Sequence, residues 1–312
     1  MNIVKPSFII EERDELRGGM AIIEKAARTC YKTEGKITEG SAERMVVSLR
    51  QRMHYAMLEH GDYIFMLDDY KILDNIVCSL RRLMEDGEDV PLLTWTNINE
   101  RPIISGNVRA WRELLASRCA ASYYFTGAID PIYTEDIVTE DERIVDPRIK
   151  QIRYSDLRGF NEKRVHLRQT VRFTVDRGVT HEFVRHRVMS FAQESTRYCD
   201  YSGGGITVIE PCFLEEHTET YDLWKRQCMS ADAAYAAEKR LGLKPEEART
   251  VLPQSTKAEL VMTGTLRQWD YFFDKRARHT TGKAHPQAAE VAIPLMHEMA
   301  ARFPDVIRGG GS

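Results

Sequence analysis

The sequence predicts an α+β protein with helices towards both ends of the chain. Three observations predict this class. Apolar residues recur about every 3.6 residues over 20–60, which is the period of an amphipathic helix. Residues 63–67 form a β-prone run, and residues 171–175 alternate as a strand does. From Ala231 onward the pattern predicts helix nearly to the C-terminus.

The segments between these regions are assigned from local signals. Residues 107–115 have the spacing of a short amphipathic helix. Residues 128–150 are charged and contain two prolines, which predicts a surface excursion. Thr180, just after Gly178, is expected to be the N-cap of a helix. The glycine cluster at 203–205 lacks the lysine and the spacing of a phosphate-binding loop, so a plain turn is expected there.

Composition limits the classes of function. The 312 residues carry a formal charge of −3, whereas a dedicated nucleic-acid-binding protein is usually basic. No apolar run approaches the roughly 20 residues that span a membrane, and the N-terminus lacks the apolar segment of a signal peptide. The six cysteines are scattered, as in a reduced cytoplasmic protein. We therefore expect a cytoplasmic protein that binds neither nucleic acid nor membrane.

Basic residues are concentrated in one segment. Residues 185–198 contain three arginines within fourteen positions, and Glu182 and Glu194 are the only nearby carboxylates. Because arginine cannot lose its proton in a protein, such a density predicts a bound polyanion. The alternative is a solvated basic helix end that complements the helix dipole.

The spacing within this segment suggests how ligands would be held. If the chain is still helical at Arg185 and Arg187, these side chains point about 200° apart, which suits two ligands. Gln193, Ser195 and Arg197 would share one face if the chain is extended there, and together they could hold a phosphate.

The same segment resembles a known family. Arg185-His186-Arg187, followed after seven residues by Ser195 and then by Arg197-Tyr198, is similar to the signature of the flavin-dependent thymidylate synthases. Three further segments resemble the family in its own order. They are His54–His60, Ala248–Pro253, and the stretch from Thr263 to Gln287. The resemblance covers residues 20–60 and 165–300.

The resemblance implies an architecture as well as a family. It implies a central, mostly antiparallel sheet flanked by helices, with a long helical C-terminal part. It favours a single domain over residues 1–305 with an enlarged insertion at about 62–160, followed by a flexible tail at 306–312. It also implies a homotetramer with active sites shared between subunits.

The implied activity is the reductive methylation of deoxyuridylate (dUMP) to thymidylate (dTMP) in de novo dTMP biosynthesis. Methylenetetrahydrofolate would give the carbon, reduced FAD the hydride, and NADPH would reduce the flavin again. The chain has no dinucleotide-binding glycine fingerprint, which agrees with a family that holds FAD by other means. Two alternatives stay open. One is a nucleotide-binding flavoprotein or regulator without methyl transfer, and the other is a flavin reductase.

The resemblance also implies site residues, with Arg276 as the catalytic residue. The positions that match the family's dUMP contacts are Glu182, Phe183, Val184, Arg185, Gln193, Glu194, Ser195, Thr196, Arg197, Arg249 and Arg276. The positions that match its FAD contacts are His54, Ala56, Arg185, His186, Arg187, Gln193, Thr265, Leu266, Arg267 and Tyr271. No metal site is expected, because His181 and His186 are five residues apart rather than the four of the zinc-protease motif.

Some positions depart from the family pattern. Gln193 replaces a glutamate, Ala192 an asparagine and Glu182 a glutamine, and Thr265 and Tyr271 stand where asparagine is frequent. No base that could activate the Ser195 hydroxyl is visible nearby, so Ser195 is assigned to binding. Thr265 and Arg276 are eleven residues apart, so one helix would place them on nearly the same face, ~16 Å apart. A single helix could then contact the flavin at one end and the pyrimidine at the other.

Overall fold

The structure, a computed structural model, describes residues 1–12, 16–96 and 100–309. Residues 310–312 of the expected tail lie outside the described residues. Within them the chain forms two four-stranded antiparallel sheets and one two-stranded parallel sheet, with helices packed around them. The α+β class is confirmed. The antiparallel pairing is divided between two sheets rather than held in one.

The elements have the following bounds. The strands are β1 Asn2–Val4, β2 Ser7–Glu11, β3 Asp62–Leu67, β4 Leu93–Trp95, β5 Ile103–Asn107, β6 Ile149–Gln151, β7 Arg168–Asp176, β8 Ser190–Gln193, β9 Thr207–Ile209 and β10 Lys257–Thr265. The helices are α1 Met20–Tyr31, α2 Ser41–Gln51, α3 Tyr70–Glu85, α4 Val108–Ala116, α5 Pro131–Thr134, α6 Gly159–His166, α7 Arg177–Phe183, α8 Glu219–Arg240, α9 Pro245–Ala248, α10 Leu266–Arg276 and α11 Pro286–Arg302. Short 3₁₀ helices include Tyr55–His60 and Arg249–Val251.

The first sheet has the strand order β2-β7-β10-β8, and every neighbouring pair is antiparallel. Its two long central strands pair from Arg168 with Thr265 to Asp176 with Lys257. Apolar side chains of β7 and β10 join those of α10 and α11 in one core, in which Trp269 is fully buried. Because Thr265 is both the last residue of β10 and the N-cap of α10, the sheet fixes where this helix begins.

The second sheet has the order β4-β5-β3-β6 and is built largely from the expected insertion. The rings of Phe65, Trp111 and Phe125 pack at centroid distances of 4.7–5.4 Å in its core. The expected surface excursion at 128–150 is wrong, because Ile129, Tyr133 and other apolar residues of this stretch are buried in the same core. The charged residues of this stretch lie between its buried apolar residues.

Several local predictions are confirmed. Helices α1 and α2 and the 3₁₀ helix at 55–60 account for the periodicity of residues 20–60. Strands β3 and β7 contain the two β-prone runs, and α4 follows Asn107, whose side chain accepts from the Ala110 amide at 2.8 Å. Gly203 and Gly204 lie in a turn, and Gly205 directly follows it.

Other local predictions are wrong. The C-terminal part is interrupted by β10, whose residues are buried on both faces and so lack the alternation that indicates a strand. Helix α7 begins at Arg177 rather than near Thr180, because the Asp176 carboxylate accepts from the Val179 amide at 2.9 Å. The tail does not begin at residue 306, because Val306 and Ile307 are buried at 3% and 1% exposure.

None of the helices in the described part of the chain has the length and apolar composition needed to cross a membrane.

A buried histidine connects helix α6 to the second sheet. His166, the last residue of α6, is fully buried, and its Nδ1 lies 2.7 Å from the Ser105 hydroxyl on β5. Burial lowers the pKa of His166 to about 4. The folded protein therefore keeps this side chain neutral at pH values where the unfolded chain binds a proton.

We expect the free energy of unfolding to fall as the pH is lowered from about 6.5 to about 4, because the unfolded state binds the extra proton. A shift of this size corresponds to roughly 3 kcal/mol. Urea unfolding at several pH values measures it. The pH dependence should be weaker in His166→Gln and unchanged in His297→Gln, an exposed control on α11. The same pH dependence in His166→Gln would show that another group is responsible.

Candidate active site

Arg276, the last residue of α10, is held by Glu182 of α7 and by His186 of the basic segment. Its Nη1 donates to Glu182 Oε2 at 2.6 Å, and its Nη2 donates to the Glu182 backbone carbonyl at 3.0 Å. Its Nε donates to His186 Nε2 at 3.2 Å. The guanidinium is mostly buried, with 17% of the side chain exposed. The structure thus brings together three of the residues expected to bind ligands.

Helix α10 is fixed at its start by a capping box. Thr265 Oγ1 accepts from the Gln268 amide at 3.3 Å, and Gln268 Oε1 accepts from the Thr265 amide at 2.7 Å. Gln268 also donates to the Val188 carbonyl at 2.9 Å and so connects the helix to the basic segment. At Gly264 a Cβ would lie 2.7 Å from Met189 Cε, so glycine allows this close approach.

The other end of α10 is positioned by aromatic packing. The Phe183 and Phe272 rings meet edge to face with centroids 4.9 Å apart, and both are fully buried. Phe183 follows Glu182 directly, and Phe272 precedes Arg276 by one helical turn. The contact between Glu182 and Arg276 is therefore set by the core, which supports precise placement of the guanidinium.

His186 is neutral and its tautomer is defined by Arg276. Burial, the Arg276 charge and the Lys275 charge lower the pKa of His186 to about 4. Since arginine can only donate, His186 Nε2 must accept, and the imidazole proton lies on Nδ1. This buried Nδ1 has no hydrogen-bond partner among the described residues. It is a buried donor without a partner in this part of the chain.

A cleft of about 390 Å³ lies beside His186. Four of the expected FAD-binding residues line it together. They are His186, Arg187, Arg267 and Tyr271. Tyr271 is 56% exposed, and the Lys275 ammonium lies 4.9 Å from its ring centroid. The cleft also contains Arg164 and Arg308, which sequence reasoning did not single out.

The helical argument for Arg185 and Arg187 is wrong. Helix α7 ends at Phe183, so both arginines lie in the turns that follow, and both are exposed. Val188 has a positive φ of 64° in these turns. His54 and Ala56 are also exposed, at the start of the 3₁₀ helix that packs between α1 and β8.

A second group of expected residues lies after β8. Arg197 Nε donates to Glu246 Oε2 at 2.7 Å, and Arg249 lies in the same charge environment, one turn after Glu246. Ser195 Oγ accepts from the Arg197 amide at 3.2 Å. We call Ser195, Arg197, Glu246 and Arg249 the Arg197 cluster. No hydrogen bond or ion pair within the described residues joins this cluster to Arg276.

The extended geometry expected for this segment is wrong. Strand β8 ends at Gln193, and residues 195–198 form a turn because the Ser195 carbonyl accepts from the Tyr198 and Cys199 amides. Gln193 points elsewhere and donates to the Thr180 hydroxyl at 3.1 Å. Gln193, Ser195 and Arg197 therefore do not share one face.

Some expected ligand residues use their side chains within the protein. Glu194 is 2% exposed and accepts from Tyr201 at 2.9 Å and from Lys257 at 2.9 Å. Thr196 is 6% exposed, and Phe183 and Leu266 are fully buried. The Thr265 hydroxyl serves as the cap of α10. These side chains are thus already engaged within the folded chain, and their contact with a ligand stays a prediction.

The chain is also similar to known proteins. The family described as thymidylate synthase complementing protein matches residues 146–305, just over half of the chain. The chain belongs to the flavin-dependent thymidylate synthase family. Arg276, Glu182, His186 and the Arg197 cluster all fall inside the stretch that matches the family.

Curated flavin-dependent thymidylate synthases are similar over part of their length. The protein from Pyrococcus furiosus is 30% identical over 149 residues, which are 46% of this chain and 60% of that protein. The protein from Corynebacterium glutamicum is 29% identical over 147 residues, covering 42% of this chain and 57% of that one. The chain thus spans less than two thirds of the length of these relatives.

Two solved structures cover nearly the whole chain at low similarity. The UMP/dUMP methylase PolB from Streptomyces cacaoi, bound with 5-Br dUMP, aligns over 96% of this chain and 93% of its own, with 15% identity and a TM-score of 0.41. Thymidylate Synthase X from Helicobacter pylori, with FAD and dUMP, aligns over 97% of each chain, with 11% identity and a TM-score of 0.39.

Proposed function

We propose that the protein is a flavin-dependent thymidylate synthase that methylates dUMP to dTMP. The carbon comes from methylenetetrahydrofolate, and NADPH supplies the reducing equivalents. The observation that carries the proposal is the placement of Arg276 on Glu182 and His186, beside a cleft lined by arginines. A cation for the pyrimidine and donors for phosphates are thereby adjacent.

The cleft fits part of an FAD molecule. Its volume of about 390 Å³ is within the roughly 300–1,000 Å³ of small-molecule sites. Arg187 and Arg267 would hold phosphates, because guanidinium groups match their geometry. Tyr271 offers an exposed ring, and His186 offers the unpartnered Nδ1 donor. When bound, FAD supplies the hydride chemistry that the side chains themselves lack.

The role proposed for Arg276 follows from its charge and planarity. A guanidinium near N3 and O2 of the pyrimidine stabilises negative charge on the ionised ring. In the structure all three nitrogen atoms of Arg276 already donate to Glu182 or His186. A guanidinium has five N–H donors, so Nη1 and Nη2 each keep one N–H for the pyrimidine while these contacts persist. Glu182 and His186 thus hold the guanidinium in place and leave it donors for the nucleotide.

Ser195→Ala should retain measurable dTMP formation. The Ser195 hydroxyl accepts from the Arg197 amide and has no described base beside it that could make it a nucleophile. Steady-state assays of dTMP formation test this, with Ser202→Ala, a serine of the next turn, as a control. Complete loss of turnover with unchanged dUMP affinity would instead support a covalent role for Ser195.

We propose that the active sites are shared between subunits of a homotetramer. The support is the separation of the expected dUMP residues into the Arg276 group and the Arg197 cluster. A second chain could supply one group to the other.

The six cysteines are free, which supports a cytoplasmic location for such an assembly.

Mixing Arg197→Ala with Arg276→Ala, each impaired alone, should restore part of the activity under conditions of subunit exchange, because the two residues belong to the two separated groups. Restoration is expected because some mixed sites would contain both intact residues. Assays of the mixture after exchange measure it, and a mixture of Arg276→Ala with itself is the control. A fully active monomer in sedimentation at the assay concentration would contradict the shared site.

The whole proposal is tested by purification and assay. A yellow protein with the absorbance of bound FAD, forming dTMP from dUMP, methylenetetrahydrofolate and NADPH, is the expected result. FAD binding and NADPH oxidation without dTMP would instead indicate a flavin reductase or a nucleotide-binding flavoprotein. A colourless protein that binds dUMP would indicate a regulator.

A further inference from the structure

We propose that Arg164 and Arg308 form, beside Arg187 and Arg267, an anion subsite for the charged end of a co-substrate. This inference rests on the proposed function and names a part of the same cleft that the family resemblance does not assign. The four arginines come from α6, the turns after α7, α10 and the segment after α11. They meet only in the folded chain.

The arginines of the cleft exceed its carboxylates. Among the residues lining it, four arginines face two aspartates, Asp270 and Asp274. Both aspartates are already engaged by Arg278, at 2.9 Å and 2.8 Å. Within the described residues no carboxylate pairs with Arg164, Arg187 or Arg267. Because arginine cannot relieve the repulsion by losing a proton, the cleft favours anions.

Arg308 has a defined position although it lies close to the end of the chain. Its Nη2 lies 3.1 Å from Asp274 Oδ1, and its backbone carbonyl accepts from Arg278. The preceding Val306 and Ile307 are buried in the core of the first sheet. The core thus carries Arg308 to the edge of the cleft.

Arg164 is also held in place. Its guanidinium lies 5.6 Å from the Phe160 ring centroid, one turn earlier on α6, and the side chain is partly buried. Such a contact fixes a cation without neutralising it. Arg164 and Arg308 are thus two positioned guanidinium groups at the same cleft.

Two co-substrates of the proposed reaction end in groups that guanidinium binds well. NADPH carries a 2′-phosphate, and the folate carries the carboxylates of its glutamyl tail. Both accept paired hydrogen bonds from a planar guanidinium. The pyrophosphate of FAD is already provided for by Arg187 and Arg267 under the proposed function. Arg164 has no carboxylate partner among the described residues, and Arg308 shares Asp270 and Asp274 with Arg278, so its charge is only partly offset. These two arginines are therefore left for the anion of a second ligand.

The test uses Arg164→Gln, Arg308→Gln and the double variant. Arg302→Gln is the matched control, because Arg302 is an exposed arginine of α11 outside the cleft that pairs with Glu298. Binding to the purified protein is measured by calorimetry with two pairs of probes, NADP⁺ with NAD⁺ and folate with pteroate. NAD⁺ lacks the 2′-phosphate of NADP⁺, and pteroate lacks the glutamyl residue of folate and so has one carboxylate instead of two.

For one pair, the double variant should bind the member with the additional anionic group about tenfold or more weakly, and its less charged counterpart as the wild type does. The pair that responds identifies whether the 2′-phosphate or the glutamyl carboxylates occupy the subsite. Unchanged binding of all four probes overturns the proposal. Equal losses within each pair, or loss of FAD alone, overturn it as well.

Failure of the proposed function gives a different result. If the wild type forms no dTMP while the double variant still loses affinity for one charged probe, the subsite stands and the proposed function is wrong. If dTMP forms normally and the double variant binds every probe like the wild type, the proposed function stands and the subsite is wrong.

Discussion

Replacing Arg276 with lysine should lower the rate of dTMP formation by roughly 10²–10³-fold, the cost of removing one preorganised donor from a developing charge. Arg276 contacts Glu182 twice and His186 once through three different nitrogen atoms. A lysine offers one point charge and cannot reproduce this planar set. Single-turnover and steady-state assays would measure the loss.

FAD content separates this catalytic effect from loss of structure. Arg276→Lys should keep its bound FAD, because the arginines and the tyrosine of the cleft are unchanged. Arg302→Lys, on the exposed side of α11, is the matched control and should behave as the wild type. Turnover at the wild-type rate in Arg276→Lys would show that the guanidinium is not needed.

Arg197→Ala and Arg249→Ala should each weaken dUMP binding by about ten- to hundredfold, because a hydrogen bond to a charged group contributes roughly 1.5–3 kcal/mol. The two arginines flank Glu246, whose pKa the Arg197 hydrogen bond and charge lower, with a further contribution from Arg249. A phosphate would replace this carboxylate as their partner. Calorimetry with dUMP and deoxyuridine measures the effect.

Deoxyuridine is the internal control for these two variants. Deoxyuridine lacks the phosphate, so the two substitutions should change its affinity little. Arg226→Ala, at an exposed position of α8, controls for the loss of a positive charge on the surface. Equal losses for nucleotide and nucleoside would place the phosphate away from Arg197 and Arg249.

The parts of the site that sequence predicted correctly depend on local regularity. Thr265 and Arg276 do bracket one helix, because eleven residues of continuous α-helix fix their spacing whatever surrounds them. The spacing within the basic segment is likewise local, and the family that it indicated is confirmed. Such features need no knowledge of distant contacts.

The parts that sequence missed depend on distant contacts. Leu260 and Met262 of β10 pack in the core that contains α10, whereas Val261 packs with Ala26 of α1. Both faces of β10 are therefore covered, and its apolar pattern resembles that of a buried helix. Arg164 and Arg308 lie 144 positions apart, and only the common core brings them to one cleft. Each is a single arginine in the sequence, and neither belongs to a motif that would indicate a binding site.

The turn at Ser195 was missed for a different reason. Alternation of Gln193, Ser195 and Arg197 suggested a strand, yet the pairing with β10 ends at Gln193. The Ser195 amide then donates to the Cys30 carbonyl of α1, which redirects the chain. A contact with a helix more than 160 residues earlier in the chain decides this geometry.

The position of the second sheet in the chain has a consequence for how the protein folds. Strands β2 and β7 are neighbours in the first sheet, but the whole second sheet lies between them in sequence. Closing so long a loop costs entropy, and pairing of distant segments slows folding. If the core around Phe65 and Trp111 collapses first, it shortens the effective loop and brings β2 towards β7. The inserted sheet would then act as an early folding unit, and the rate at which the first sheet assembles would depend on its formation.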